Sequence, residues 1–460
     1  MKILFNITHG FQARMLLRST IASTLLDQGA ELVISSVNAD EEYFQQEFEH
    51  PQIALEKMPN RRSATESRML NIRQYVLMNP SLGGTLNYKR EALKRERPKR
   101  YFVSRMLNLV FGRMTLLRNG YMKMESALFP GKEFDELLNK HKPDLVVTGT
   151  PGFNLFDVHL LRACKRKKIK TTTVMLSWDN LTSKGFMNGV PDHLLVWSDL
   201  MADEAVKYHD YPRENIQWTG AAQFDIYGEY QNGFDAKKWK SENGIPADRQ
   251  LMVYGTINPA ICPHEIEIVN SIIRVIKSGK LSKKVHLWIR LHPQVVQGPF
   301  KKSLQPFLDL ESEFVHVEVP PVREGALNWD LPKSDSHHLA SLLTAADILG
   351  TTSSTLSIDA ACVDTPVINL FYDGIDVKPE VSVARFKKYT HYAIILETGG
   401  IRSVHDEQEL ADAMERYLTN PASDKDKRQA IIEQQLGRLD GESGRRTAIA
   451  LQKLANTAST

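Results

Sequence analysis

Short apolar runs alternate with stretches of helical spacing along the whole chain. "KILFNIT" (2–8) reads as a buried strand from its second residue onward. "LRSTIASTLLDQGA" (17–30) has a helical period and stops at Gly29, and "ELVISSV" (31–37) and "QIALEKM" (52–58) predict a second and a third strand. "PDLVVTG" (143–149), "TTTVMLS" (171–177), "HLLVWS" (193–198) and "IQWTG" (216–220) continue the series, with helices between most of them. The rhythm restarts at "LMVYGTI" (251–257), followed by a helix at 264–276 and strands at 284–293 and 314–320. A helix at 337–346, strands at 347–350 and 366–372, a last apolar run at 392–397 and a helix at 406–419 complete it. Strands alternating with helices predict an α/β fold of parallel sheets covered on both faces.

Residues 60–140 break that rhythm. They are basic and mostly helical, and read as an insertion without a core of its own. Residues 226–250 are polar and read as a linker region. The expected organisation is a first Rossmann-like domain over 1–228 carrying the insertion, a linker over 229–250, a second Rossmann-like domain over 251–425, and terminal helices over 426–460.

A chain of 460 residues has room for two or three domains. The three cysteines are far apart and form no CxxC pair, which suits a reducing compartment and argues against disulfides or zinc. No run of about 18 apolar residues is present, so no membrane span is expected. The first strand begins at once and is expected to leave no room for a presequence. Cytoplasmic localisation follows, with peripheral attachment to the inner membrane face as an extension. The net charge is +3, but residues 61–118 alone hold fourteen Lys or Arg against three Glu. That stretch reads either as a solvated helical face or as a contact for anionic phospholipid or a lipid-phosphate acceptor. No nucleic-acid motif accompanies it.

In open parallel sheets ligands bind beyond the carboxyl ends of the strands, so the loops there carry the chemistry. "TTSSTLSIDAACVDTPVINLFYD" (351–373) is the most informative of them. A strand runs into five hydroxyls, Thr351 to Thr355, and a short helix. Ser353, Ser354 and Thr355 are placed to hydrogen-bond a phosphate whose charge the backbone N–H groups favour. Asp359, further into the helix, is placed to accept from a ribose hydroxyl. The bland alternative is that the hydroxyls only cap a helix. Arg290 and His292 lie in "RLHP" after another strand, and Gly255 and Thr256 follow a third. In the first half, Trp178, Asp179 and Asn180 follow the strand at 171–177. There the alternative is an Asx turn.

The segment "SSTLSIDAACVDTPVINLFYD" resembles the nucleotide-binding helix of glycosyltransferases built from two facing Rossmann-like domains, the GT-B architecture. In those, a small-residue turn precedes a helix with an acidic residue and a Gly-x-Pro-like step seven residues later. Asp359 and Pro366 keep that spacing, with Asp364-Thr365 in place of glycine. "RLHP" is similar to the His-Pro motif of bacterial capsule-type transferases. The set as a whole comes closest to the CDP-glycerol glycerophosphotransferase-like branch, although its "WHG" is absent. "IQWTGAAQFD" (216–225) resembles the "TG-x-P-x-x-D" stretch that ends the first domain of such enzymes. The resemblance covers roughly 190–400 and is architectural before that.

It implies donor binding by His292, Ser353, Ser354, Thr355 and Asp359 from the motifs, and by Gly255 and Thr256 from position, and Arg290 in the same loop as His292 is a further nucleotide-binding candidate. It also implies a catalytic base after the first strand, where His9 stands, with Asp179 as the second candidate base. Arg14, Trp178 and Asn180 are expected to contact the acceptor.

The expected function is transfer of a sugar from a nucleotide-sugar to an acceptor hydroxyl, in surface polysaccharide or glycolipid assembly. No metal or cofactor beyond the co-substrate is expected. The alternatives are a CDP-polyol phosphotransferase, a UDP-sugar 2-epimerase on the same fold, and a non-catalytic glycan-binding protein. The chain lacks a Walker A sequence, a GxGxxG after the first strand, HExxH and a strand-end Asp-x-Asp. ATP hydrolysis and NAD chemistry are therefore disfavoured.

Overall fold

The computed structural model describes residues 1–59, 64–79, 82, 84–231 and 233–457. Among them, thirteen strands form two sheets, every registered pair of which is parallel. The first sheet contains β1 (Lys2–Ile7), β2 (Glu31–Ser36), β3 (Ile53–Lys57), β4 (Leu145–Thr148), β5 (Lys170–Val174), β6 (His193–Val196) and β7 (Ile216–Trp218). The second contains β8 (Arg249–Gly255), β9 (Lys284–Arg290), β10 (Val315–Glu318), β11 (Ile348–Thr351), β12 (Val367–Leu370) and β13 (Ile401–Val404). The orders are β3-β2-β1-β4-β5-β6-β7 and β10-β9-β8-β11-β12-β13. Each order turns around at its first strand. The crevice of a doubly wound sheet opens at such a reversal. It lies between β1 and β4 in one sheet and between β8 and β11 in the other.

The strands read as apolar runs because both faces are covered. Ile3, Leu4, Phe5 and Ile7 are all fully buried, and each contributes about 1.5–3 kcal/mol by leaving water. Leu4 sits opposite Val33 on one side and Val146 on the other.

The chain divides into two compact units. The first comprises Met1–Gln223, Glu324–Asp330 and Glu442–Thr460, and the second Phe224–Arg323 and Leu331–Gly441. Two segments from late in the sequence therefore belong to the first unit. One is the helix Ser443–Asn456, whose Ala448, Ala450 and Leu451 join the core around Ile3, Leu16 and Ile21. The other is the loop 324–330, whose Leu327 is buried in the same core.

The basic stretch folds as the helices Ala64–Val76, Thr85–Glu96, Pro98–Phe111 and Thr115–Leu128. Residues 60–63, 80, 81 and 83 of the expected insertion lie outside the described residues. Small apolar clusters attach these helices to the first unit: Met78, Leu82 and Leu86 with Tyr208, and Val76 and Leu77 with Phe186. Beneath them runs a buried charge network. Arg73 donates to Glu125 at 3.0 Å, and Glu66 faces His159 at 2.7 Å and Arg162 at 3.3 Å. Burial would lower His159, but its hydrogen bonds to the carboxylates of Glu133 and Glu66 outweigh this and raise it to about 9.

The apolar run at 392–397 is part of the helix Thr390–Glu397. Its buried residues Tyr392 and Ile395 are three apart, one turn of a helix. The last strand is β13, a four-residue piece with only Ile401 and Val404 buried. The polar stretch 226–250 carries a short helix, Ala236–Glu242, capped by Asp235.

Candidate functional site

In the first unit the loops after β1 and β4 are interlocked at the reversal. Thr8 Oγ1 donates to Gln12 Oε1 at 2.9 Å, and the Gln12 side chain lies where a Cβ on Gly149 would stand. Asp157 is buried below these loops and accepts from Asn6 (2.8 Å), Thr150 (2.6 Å) and Asn154 (2.7 Å). Burial pushes its carboxyl up to about 6.

His9 caps the helical turn Gly10–Gln12, its Nδ1 accepting from Phe11 N–H at 3.2 Å. Burial lowers the ring to about 4, with Asp330 pulling the other way and Lys184 adding to the fall. A neutral ring that accepts at Nδ1 carries its proton on Nε2 and is a donor there. The expected role at His9 is that of a base, whereas in this arrangement the ring presents Nε2–H as a donor.

The loop 324–330 covers this corner. The Trp329 ring meets His9 edge-on at 4.8 Å and Phe11 at 5.4 Å. Gly10 N–H donates to Asn328 O at 2.9 Å, and a Cβ on Gly10 would stand 2.3 Å from Trp329 O. Trp329 itself has φ +57, an uncommon backbone for a bulky residue. Asp330 is fully buried, ion-paired to Arg18 at 2.6 Å and accepting from Tyr43 OH at 2.7 Å. Asn38 Oδ1 accepts from Ala326 and Leu327 N–H.

Asp179 follows β5 and stays half-buried. It accepts from Ser177 Oγ and Ser183 Oγ, both at 2.7 Å, and pairs with Lys184 at 3.3 Å. The donors are serine hydroxyls, and the Asp179 side chain makes no cap hydrogen bond to the helical turn, so these bonds are not those of an Asx turn. Lys89, from the basic insertion, donates to Ser183 O at 2.9 Å. Burial and the neighbouring Lys184 lower Lys89 to about 8, against Asp179. Neither lysine figured in the sequence reading. Lys184 was visible immediately after the helical turn Asn180–Ser183, whereas Lys89 is about ninety positions away and carries no local signal. His209 holds the loop from behind, accepting from Met187 N–H at 3.2 Å and donating to Leu181 O at 2.8 Å.

The three acceptor candidates fare differently. Arg14 lies half-buried in the helical turn Ala13–Leu17. Trp178 is only 5% exposed, so its ring offers no open stacking face, and the aromatic rings beside His9 are Phe11 and Trp329. Asn180 is buried in the turn Asn180–Ser183.

In the second unit, the loops after β8, β9 and β11 are stitched together. Thr256 N–H donates to Arg290 O at 3.0 Å, and Thr256 Oγ1 accepts from His292 N–H at 2.7 Å. Thr351 Oγ1 donates to Gly255 O at 3.1 Å. Gly255 makes room for Leu356, since a Cβ there would stand 2.2 Å from the leucine Cδ1. His292 repeats the arrangement of His9. Its Nδ1 accepts from Gln294 N–H at 3.1 Å and burial lowers the ring to about 4, so Nε2 is again a donor.

The hydroxyl turn is distinctive in its backbone. Ser353 has φ +85, in the region that favours glycine, and its N–H donates to Asn369 Oδ1 at 2.8 Å. Tyr392 OH donates to the same oxygen at 2.6 Å. Ser354 Oγ accepts from Leu356 N–H, and Thr355 is exposed. Asp359 is buried in the helix Leu356–Cys362 and accepts from Tyr227 OH at 2.6 Å. Glu265 is buried behind the β8 loop and accepts from Ile257 N–H at 2.9 Å and Tyr254 OH at 3.1 Å. Burial raises its carboxyl to about 8.

Arg290 departs from the expectation of a phosphate ligand. Its guanidinium is buried between Glu318 and Asp335, the latter at 2.6 Å. It braces β9 against β10 and the helix Lys333–Ala345. Among the described residues, no group of three or more His, Cys, Asp and Glu is placed to hold a metal ion.

No protein-family model and no curated protein matches the chain. Solved structures do. The UDP-GlcNAc 2-epimerase of Neisseria meningitidis, solved bound to UDP-GlcNAc, is 12% identical with a TM-score of 0.54, over 98% of this chain and 100% of that one. The UDP-GlcNAc 2-epimerase of Methanocaldococcus jannaschii, solved with UDP-GlcNAc and UDP, is 14% identical with a TM-score of 0.54 over the same shares. A glycosyltransferase of Rickettsia africae is 11% identical with a TM-score of 0.54, over 100% of this chain and 99% of that one. At such identities the likeness is one of fold. The chain has the two Rossmann-like domains of the GT-B architecture, which these epimerases and this glycosyltransferase share; the likeness does not single out the capsule-type or CDP-glycerol branch.

Proposed function

We propose that the second unit binds the nucleotide of a nucleotide-sugar, and that the protein is a glycosyltransferase acting on an acceptor hydroxyl. The observation that carries this is the convergence at the β8/β11 reversal. Gly255 and Thr256, His292 with a donor Nε2, and the strained Ser353 turn come from three strand ends joined by hydrogen bonds. A strained non-glycine backbone at a strand end is typical of ligand sites. His292 and the hydroxyls of Ser353, Ser354 and Thr355 are donors suited to the leaving phosphate as its charge develops. Asp359 is satisfied by Tyr227, so a ribose hydroxyl would share it with that phenol.

In the first unit, Asp179 takes the role of base and His9 that of a hydrogen-bond donor to the acceptor. The acceptor oxygen forms a bond to the anomeric carbon, the bond from that carbon to the nucleotide phosphate breaks, and the proton passes to Asp179. Lys184 and Lys89 suit an acceptor with a phosphate or carboxylate. A glycan or lipid-linked acceptor of the cell envelope fits, as does a cytoplasmic protein attached to an anionic membrane through 61–118.

A UDP-sugar 2-epimerase is the second reading, favoured by the likeness to the Neisseria and Methanocaldococcus enzymes. Mass spectrometry of products separates the readings. A set of nucleotide-sugars is incubated with and without total lipid or polysaccharide extract. Transfer predicts that nucleotide release depends on the extract. A rearranged UDP-sugar without extract establishes the epimerase, and a phosphodiester in the product establishes a polyol-phosphate transferase.

A further inference from the structure

The helices Pro98–Phe111 and Thr115–Leu128 are built inside out. In the first, the face turned to the protein is Tyr101, Ser104, Asn108 and Phe111. Asn108 is buried, donating to Val76 O at 2.9 Å and Met78 O at 2.8 Å and accepting from Arg90. The outward face carries Phe102, Val103, Met106, Leu107, Leu109 and Val110, with Phe102 65% exposed. In the second helix, Arg118 and Glu125 are buried while Leu116, Met124 and Leu128 are exposed, Leu116 at 80%. Single exposed apolar residues are ordinary, but a contiguous apolar patch over buried polar groups marks an interaction surface.

The charges around the patch identify what it meets. Arg97, Lys99, Arg100, Arg105, Arg113 and Lys123 are exposed, and the acidic residue of this pair of helices, Glu125, is buried. A second copy packed by a two-fold axis would set cations against cations. An anionic bilayer offers opposite charge at the headgroups and an apolar layer beneath them. Among the described residues no helix is long and apolar enough to cross a membrane, so the pair would lie in the interface plane.

We propose that the outward face of 98–128 is a docking surface for an anionic lipid bilayer. Phe102, Leu107, Val110 and Leu116 enter the acyl boundary, and the surrounding Lys and Arg side chains pair with headgroup phosphates. This narrows the whole basic stretch to one helix pair and does not depend on the nucleotide reading. The test is flotation of the full chain with vesicles of phosphatidylcholine alone or mixed with phosphatidylglycerol. The wild type floats with the mixed vesicles, and less so at high salt. Combined Phe102→Ser, Leu107→Ser and Val110→Ser cuts the bound fraction about tenfold or more. Arg100→Glu with Arg105→Glu removes the preference for anionic vesicles. Unchanged thermal melting of each variant keeps loss of binding distinct from loss of fold. The proposal is overturned if the wild type does not float with mixed vesicles. It is also overturned if the serine variant floats equally well, or if light scattering shows a dimer that the serine variant dissociates.

Discussion

His9 and His292 each stand after a strand, accept a backbone N–H at Nδ1 and are held neutral by burial. The sequence places a histidine at a strand end but says nothing of which nitrogen is occupied, and that decides between base and donor. Under the proposed transfer, Asp179 is the group that takes the proton. Asp179→Asn should lower turnover about 10²–10⁴-fold while leaving nucleotide affinity unchanged. His9→Gln, which keeps a donor, should lose less turnover than His9→Ala. Steady-state kinetics on the three variants checks both. Glu265 gives a test of burial. Its carboxyl sits near 8 when folded, so the folded state binds the proton more tightly than the unfolded chain. Stability from this group is fully present below about 4.5, and is lost as pH rises through about 8. Urea midpoints from pH 5 to pH 9 should therefore fall more steeply for the wild type than for Glu265→Gln, which cannot titrate.

The least legible element is the loop 324–330. "EGALNWD" is a short polar piece between β10 and a helix, and nothing local tells which unit it joins. Its placement rests on partners hundreds of positions away, Arg18, Asn38 and Tyr43, and on the missing Cβ of Gly10. Gly10→Ala sets a Cβ against backbone, where it cannot be accommodated by a rotamer change, and should cost about 1–3 kcal/mol. Asp330→Ala leaves Arg18 buried with Glu47 alone and should cost about 3 kcal/mol. Urea denaturation measures both. Loss below about 0.5 kcal/mol in both would mean that the loop is not held on the first unit as described. Other elements were plain. The continuous apolar runs of β1, β8 and β9 could only be buried strands, whereas β13 has too few apolar residues to announce itself. The run 392–397 could not be assigned to helix or strand because it is too short to show its period.

At the scale of the whole molecule, alternation of strand and helix was enough to predict two doubly wound sheets, since their crossovers are local. The shared strand order, and hence the position of each reversal, comes from pairing that no single segment encodes. The hydroxyl turn was legible in position but not in backbone, because φ +85 at Ser353 goes with a hydrogen bond to Asn369 on a neighbouring strand that the local sequence does not show. The claim that joins these scales is that the β8/β11 reversal holds a nucleotide. It is tested most directly by thermal unfolding with CMP, CDP, UDP, GDP and dTDP, on the wild type and on His292→Ala. A nucleotide at about a hundred times its dissociation constant stabilises the folded state by about 2.7 kcal/mol. The account predicts that one nucleotide raises the wild-type midpoint and that His292→Ala loses most of that rise. No shift with any of the five, or a shift undiminished in His292→Ala, would contradict it.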